Sequence, residues 1–308
     1  MMKKRLFTVL VLLSAAVLPA AAQLSSAEYK ERYDRQVRAV GYAGLGVETI
    51  LERWGNVYPD DPDMLEGRFF FDLTRARSTK MLRTSKSGYM GREPLMALKD
   101  STGAPVYFYE EEFYDDSLFN SALRFLDRAA SLRPDEFLYR SHMLNAQIAR
   151  EKEDPVLSVE ELDALISYDK ARHPAWTFRG QETEADFFVG AVQDYCRLYF
   201  EIGSPKSYAA LRRLSERMTK LYPARMEFQN NMGSYWRTAE KNPKKAVAIY
   251  KKVLSRDKDN YMAAKNGYLA ARSTGDRKFQ KTCLETLSRV SPQETERLSA
   301  EALLQSLK

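Results

Sequence analysis

Few side chains in this chain could carry chemistry. Of its 308 residues two are histidine, His142 and His173, and two are cysteine, Cys196 and Cys283. Neither histidine has a second histidine or a cysteine at metal-ligand spacing, so the sequence predicts no metal site. Two acidic runs remain. Asp60, Asp61, Asp63 and Glu66 lack the glycine and the spacing of a calcium loop, and read instead as the negatively charged start of a helix. Glu110, Glu111, Glu112, Asp115 and Asp116 contain enough carboxylates for a general acid and base. That chemistry needs two carboxylates in different environments across a cleft, however, and neighbours on an exposed loop read as a solvated charge run. No Gly-x-Gly-x-x-Gly, P-loop or Gly-x-Ser-x-Gly is present. The sequence therefore predicts no catalytic residue and no cofactor, that is, a protein that is not an enzyme.

The aromatic residues admit two readings. Tyr107, Phe108, Tyr109, Phe113 and Tyr114, with Trp176, Phe187, Phe188, Tyr195, Tyr199 and Phe200, could stack on sugar rings. The helical spacing of Phe187, Phe188, Tyr195 and Tyr199 favours core packing. Cys196 and Cys283 both sit in apolar helical patterns, and the expectation is two buried free thiols rather than a disulfide.

The elements that position these residues follow a repeat. Between residues 227 and 294 two segments recur with a period of 34: Gly233 returns as Gly267, Tyr250 as Leu284, Val253 as Leu287, and Lys258 is matched by Pro292. The same spacing of a small residue, a large apolar one four later, another three later and a proline five beyond occurs as Ala122, Leu126, Ala129, Pro134. It occurs again as Ala246, Tyr250, Val253, Lys258 and, less regularly, at four further windows. These are Val47, Leu51, Trp54, Pro59; Leu162, Ile166, Asp169, Pro174; Leu211, Ser215, Met218, Pro223; and Gln280, Leu284, Leu287, Pro292. Asp169, Ser215, Lys258 and Gln280 are the misfits. Spacings of four and seven place one row on one helix face, and the proline marks a stop. The pattern resembles the tetratricopeptide repeat family, in which each repeat is a pair of helices. The resemblance implies an all-α, right-handed α-solenoid of helix pairs, an architecture and not a reaction.

Local signals place the helices. Ser25 and Glu28 form a capping box for a helix over 25–40 that Gly41 ends, and a second helix is expected over 43–57. A third, over 62–76, carries Phe69, Phe70 and Phe71 as a deeply packed face. Ser158 and Glu161 predict another capping box before a helix over 162–171. Gly203-Ser204-Pro205 and Asn242-Pro243 are stop-and-start signals. The last helix, 293–307, should present Leu298, Ala302 and Leu303 on one face as a terminal cap.

The helical pattern breaks over an insertion, residues 77–116. Residues 75–92 contain six basic side chains and no acidic one. Residues 95–109 alternate around Asp100-Ser-Thr-Gly103 and predict a β-hairpin. The acidic run follows directly, so a basic and an acidic loop are expected to neutralise each other, with a docking element as the alternative.

The chain begins with Lys3, Lys4 and Arg5, an apolar run of about 13 residues and small residues around Ala20 and Ala22, which predicts a signal peptide over 1–22. The run is too short for a bilayer, which needs about 20 residues. Without those three cations the remaining 45 Lys and Arg stand against 42 Asp and Glu. An excess of 3 points to neither nucleic acid nor a membrane surface as partner, and no integral membrane segment is expected in the mature chain. The expectation is an exported protein, periplasmic in a Gram-negative cell or else secreted. It would be a scaffold whose concave face binds a protein or peptide, with a glycan-binding or envelope-assembly component as the alternative. The family resemblance implies that Asn230, Ser234, Arg237, Tyr268 and Arg272 line that face, where arginine could pair with carboxylates.

Overall fold

The row of buried residues predicted by the repeat spacing is present along the chain. The computed structural model describes residues 23–307, and the expected signal segment lies outside the described residues. In order, the elements are α1 (Ser26–Val40), α2 (Val47–Val57), α3 (Pro62–Ala76), β1 (Arg77–Thr84), β2 (Met96–Lys99), β3 (Pro105–Tyr114), α4 (Asp116–Leu132), α5 (Phe137–Glu151) and α6 (Leu157–Arg172). They continue with β4 (Thr177–Phe178), β5 (Gln181–Glu182), α7 (Phe187–Ile202), α8 (Pro205–Leu221), α9 (Met226–Thr238), α10 (Pro243–Arg256), α11 (Tyr261–Thr274), α12 (Arg277–Val290) and α13 (Glu294–Ser306). The protein is thus mostly helical, with one small sheet inserted between α3 and α4.

Every even-numbered helix from α2 to α12 carries one of the six spaced windows. The first three positions of each are buried, with the single exception of Asp169, which is half-buried. Each of these helices ends two residues before the closing position, whether that position is proline or Lys258. Two of the misfits answer their burial with hydrogen bonds. Ser215 Oγ accepts from Asn231 Nδ2 at 3.2 Å and Gln280 Nε2 donates to the Ala271 carbonyl at 3.2 Å. Half-buried Asp169 accepts from Trp176 Nε1 at 2.9 Å and from the Tyr222 hydroxyl at 2.5 Å.

Consecutive helices pack against each other from α1 to α6 and again from α7 to α13, and contacts also join helices two apart: α1 with α3, α6 with α8, α7 with α9, and α9 with α11. The buried apolar residues form three clusters, one over α1–α5, one over α5–α9 and one over α10–α13, with Trp236 packed against the second and third. The Ser25 capping box, the Ser204 cap with Pro205 and the Asn242 cap with Pro243 all form as the sequence predicts. Asp61 caps α3 by accepting from the Asp63 and Met64 amides, which accounts for the first acidic run.

Three local expectations are corrected. The second helix begins at Val47 rather than 43, after a turn through Gly46 at φ 85°. Ser158 does not cap α6, because the Glu151 carboxylate reaches across and takes both its amide (3.1 Å) and its hydroxyl (2.6 Å), so the helix starts earlier, at Leu157. On α13 the packed side chains are Ala300 and Leu304, while Leu298, Ala302 and Leu303 are exposed. Leu298 and Leu303 therefore do not form the packed face of a cap.

The insertion is a three-stranded antiparallel sheet in the order β1-β3-β2, not a two-stranded hairpin. The predicted hairpin is β2 and β3, with Leu98 opposite Val106. The basic run supplies the extra strand. Arg77 pairs across from Tyr114 and Lys80 from Glu111, and Arg77 Nη1 meets Glu112 Oε1 at 3.1 Å. Basic and acidic segments do neutralise each other, as neighbouring strands rather than as loops.

Candidate binding groove

The alternation of a strand selects Glu111 out of the acidic run. Along β3, Tyr109 and Glu111 project to the same side, inward, while Glu110 faces solvent. Glu111 is 2 % exposed, which corrects the expectation of a solvated run. A buried carboxylate survives only if it is paired, and three groups converge on this one. Arg92 Nη2 lies 2.8 Å from Oε2, and Lys152 Nζ and the Tyr89 hydroxyl lie 2.5 and 3.1 Å from Oε1. Burial alone would raise the Glu111 pKa, but Lys152 and Arg92 outweigh it and hold the carboxyl below its ordinary value. Burial, reinforced by Glu111, pushes the Tyr89 hydroxyl up to about 12, so it donates at any ordinary pH.

The three partners come from a tight turn and a helix end. Tyr89 and Arg92 are joined by Met90 at φ 51° and Gly91 at φ 70°. A β-carbon on Gly91 would stand 3.1 Å from the Glu201 carbonyl, so glycine lets the turn lie directly on the end of α7. Lys152 follows α5 at φ 57°, and its ammonium also sits 4.0 Å from the centre of the Phe113 ring.

Between this cluster and helices α5 and α7 lies a cavity of about 440 Å³ whose walls include Arg92, Glu111, Lys152, Ile148 and Leu198. A second cavity of about 330 Å³ shares Asn145, Leu198 and Glu201 with it and continues between the same helices to Phe178 and Phe187. Together they make one groove, charged at the sheet end and aromatic at the other. The aromatic end is tied down by a second buried carboxylate. Glu136, before α5, accepts from the Arg179 and Gly180 amides at 2.8 Å each and from the Thr177 hydroxyl at 2.9 Å, which fixes the β4–β5 loop carrying Phe178. The carboxylates along the groove are engaged: Glu112 with Arg77, and Glu201 and Asp194 with Arg197.

The residues singled out from sequence lie elsewhere. Asn230 is buried, donating to Asn260 Oδ1 at 2.9 Å, and the Ser234 hydroxyl bonds the Tyr250 hydroxyl at 3.1 Å. Arg237 is half-buried, and its Nε has no hydrogen-bond partner among the described residues. Tyr268 and Arg272 meet each other, the guanidinium 5.8 Å from the ring centre. These five do not converge on the groove. Trp176, Phe188, Tyr195 and Tyr199 are core residues, and Cys196 and Cys283 are buried free thiols. His142 Nε2 lies 3.0 Å from Glu66 Oε1, and His173 caps α6 at φ 48°. Sequence reasoning missed Glu111 and Glu136. Glu111 carries one faint signal, its two-residue register with Tyr109.

No protein-family model matches the chain, and no curated protein matches it.

Proposed function

We propose that this protein is an exported, non-enzymatic scaffold built as a tetratricopeptide-like solenoid, and that it binds an extended segment of a partner protein along its odd-numbered helices. The observation that carries this reading is the α5–α7 groove, bounded at one end by the Glu111 cluster and at the other by Phe178 and Phe187. Its dimensions and apolar walls suit a few residues of polypeptide with at least one large apolar side chain. Ion pairing of the carboxylates that line it supports a binding role over proton transfer, because a general base needs a free, poised carboxylate. The repeat register and the contacts between helices two apart support the solenoid. The basic, apolar start of the chain supports export, to the periplasm or beyond.

The test is selection from a displayed library of random peptides with the chain from residue 23 onward, repeated with Leu198→Asp and Phe187→Ala. Enriched peptides that share a large apolar residue and lose affinity for both variants would support the groove. Binding indifferent to both variants would move the site elsewhere. Retention of polysaccharide instead, lost with Phe187→Ala, would favour the glycan-binding alternative, for which half-buried Phe178 and Phe187, 5.9 Å apart, are the available rings.

A further inference from the structure

The small excess of cations over the chain as a whole hides an uneven distribution. Residues 205–256, which form α8 to α10, hold 13 Lys and Arg against 3 Asp and Glu, whereas residues 23–204 hold 23 against 32 and residues 257–308 hold 9 against 7. The positive charge is therefore concentrated on three consecutive helices. Their own carboxylates are already engaged: Glu216 takes Arg212 at 2.8 Å, Glu227 takes Arg225 at 2.6 Å, and Glu240 accepts from the Tyr235 hydroxyl. From α6, Asp163 takes Arg213 and, at 2.7 Å, Arg217. Lys220, Lys241, Lys244, Lys245, Lys252 and Arg256 are all exposed, and none of them has an ion pair among the described residues.

The fold gathers these cations on one side. Ala209, Arg212, Glu216 and Lys220, at spacings of three and four, share a face of α8, and with Arg213, Arg217 and Tyr235 they wall a cavity of about 430 Å³. On α10, Lys245, Lys252 and Arg256 are seven and four residues apart and form a single row. Trp236 joins the two helices: the Arg212 guanidinium lies 5.9 Å from its ring centre and the Lys245 ammonium 3.9 Å. The cavity on α8 and the row on α10 thus belong to one surface, and it shares no residue with the α5–α7 groove.

We infer that this surface binds an acidic, extended segment of polypeptide, whose carboxylates pair with Lys220, Lys245, Lys252 and Arg256. The row from Lys245 to Arg256 covers about 16 Å of helix, the length of about five extended residues. Carboxylate is the anion this surface already holds, since Asp163 and Glu216 occupy its arginines. The cations left over are mainly lysines, compact charges on flexible stems that adapt to carboxylates spaced along a chain. A bilayer is a poorer match. Among the described residues no large apolar side chain is exposed between 205 and 256, so nothing there would anchor in lipid. The inference goes beyond the groove reading and does not need it.

The probe is a fluorescein-labelled peptide of about ten alternating Glu and Ser residues, long enough to overrun the row. It is titrated into the chain from residue 23 onward and followed by fluorescence anisotropy, with a Gln-Ser peptide of the same length beside it. The acidic peptide should bind, more weakly as salt rises from about 20 to about 300 mM, and the neutral one should not. Lys220→Glu, Lys245→Glu and Lys252→Glu together should weaken binding at least about tenfold, since each replaces an attraction by a repulsion. Arg53→Glu, Lys99→Glu and Lys278→Glu together make the same change in net charge at exposed positions elsewhere, and should have a markedly smaller effect. Equal losses in the two triple variants, equal binding of the Gln-Ser peptide, or no binding of the acidic one would overturn the surface. Binding to phosphatidylglycerol vesicles that is abolished by the first triple variant, with no binding of the acidic peptide, would overturn the assignment to a polypeptide. Phe187→Ala should leave acidic-peptide binding unchanged, so failure here and failure of the groove are separable.

Discussion

Lys152 Nζ lies 2.5 Å from Glu111 Oε1, and this pair joins the end of α5 to the central strand of the inserted sheet. Removing the lysine leaves a buried carboxylate with Arg92, itself 43 % exposed, as its remaining cation. Lys152→Ala is expected to cost about 1–3 kcal/mol in urea unfolding, below the usual loss for a wholly buried pair because solvent reaches both cations. The folded Glu111 pKa is depressed, so its stabilisation is present above the ordinary glutamate range and is lost as pH falls through that range toward the depressed value. Lys152→Ala should therefore flatten the acid limb of the stability–pH curve. An acid limb identical to that of the unsubstituted protein would count against the pairing.

The two glycines Gly233 and Gly190 should respond oppositely to alanine. A β-carbon on Gly233 would fall 2.4 Å from Tyr250 Cζ, in a side chain that is itself fully buried, whereas among the described residues no neighbouring element stands within 4 Å of one on Gly190. Gly233→Ala should destabilise by about 1–3 kcal/mol through overpacking. Gly190→Ala, in the interior of α7, should stabilise by about 0.5–1 kcal/mol through helix propensity. Thermal unfolding of the two variants side by side measures both, and two changes of the same sign would show that the α9–α10 packing is otherwise.

The helices were legible because their signal is local and redundant. Ala122, Leu126 and Ala129 announce a buried row by spacing alone, and the stop at Pro134 agrees with the helix end at Leu132. At Ser215 and Gln280 the side-chain type misleads but the position is still buried, because neighbouring turns set the register and a hydrogen bond satisfies the polar group. Strand β1 was not legible. Its sequence from Arg77 to Thr84 has no apolar alternation, and it is a strand because β3 beside it supplies both backbone partners and opposite charge. The groove was hidden for a related reason. Glu111 and Glu136 look like their solvated neighbours until residues far along the chain, Arg92, Lys152 and Gly180, are brought to them.

The two thiols should be inert in the folded protein. Cys196 and Cys283 lie in separate core clusters, and burial pushes each up to about 12. At pH 8 a thiol of that kind is ionised to roughly one part in ten thousand, and the thiolate is the reacting species. An aromatic disulfide reagent should therefore label neither cysteine under native conditions, and both after denaturation without reductant. Rapid labelling of one native thiol would contradict its burial, and no labelling after denaturation would mean a disulfide.

Lys258 occupies the place that proline holds in the other five windows, and the backbone around it already suits proline. The preceding residue Asp257 has φ −131° and ψ 93°. Tyr58, Arg133 and Tyr222, which precede Pro59, Pro134 and Pro223, have φ of −130°, −132° and −128° and ψ of 70°, 75° and 68°. Extended backbone of this kind is what a following proline ring requires. The Lys258 carbonyl, which accepts from Thr286 Oγ1 at 3.5 Å and Arg289 Nη2 at 3.2 Å, would be retained. Lys258→Pro should then stabilise by about 0.4–1 kcal/mol, by restricting the unfolded chain. The same substitution at Arg256, still within α10, removes a helical amide and should cost about 3 kcal/mol or more. Paired urea unfolding of the two variants tests the repeat register directly: a loss at Lys258 approaching that at Arg256 would mean that the sixth window closes differently from the other five.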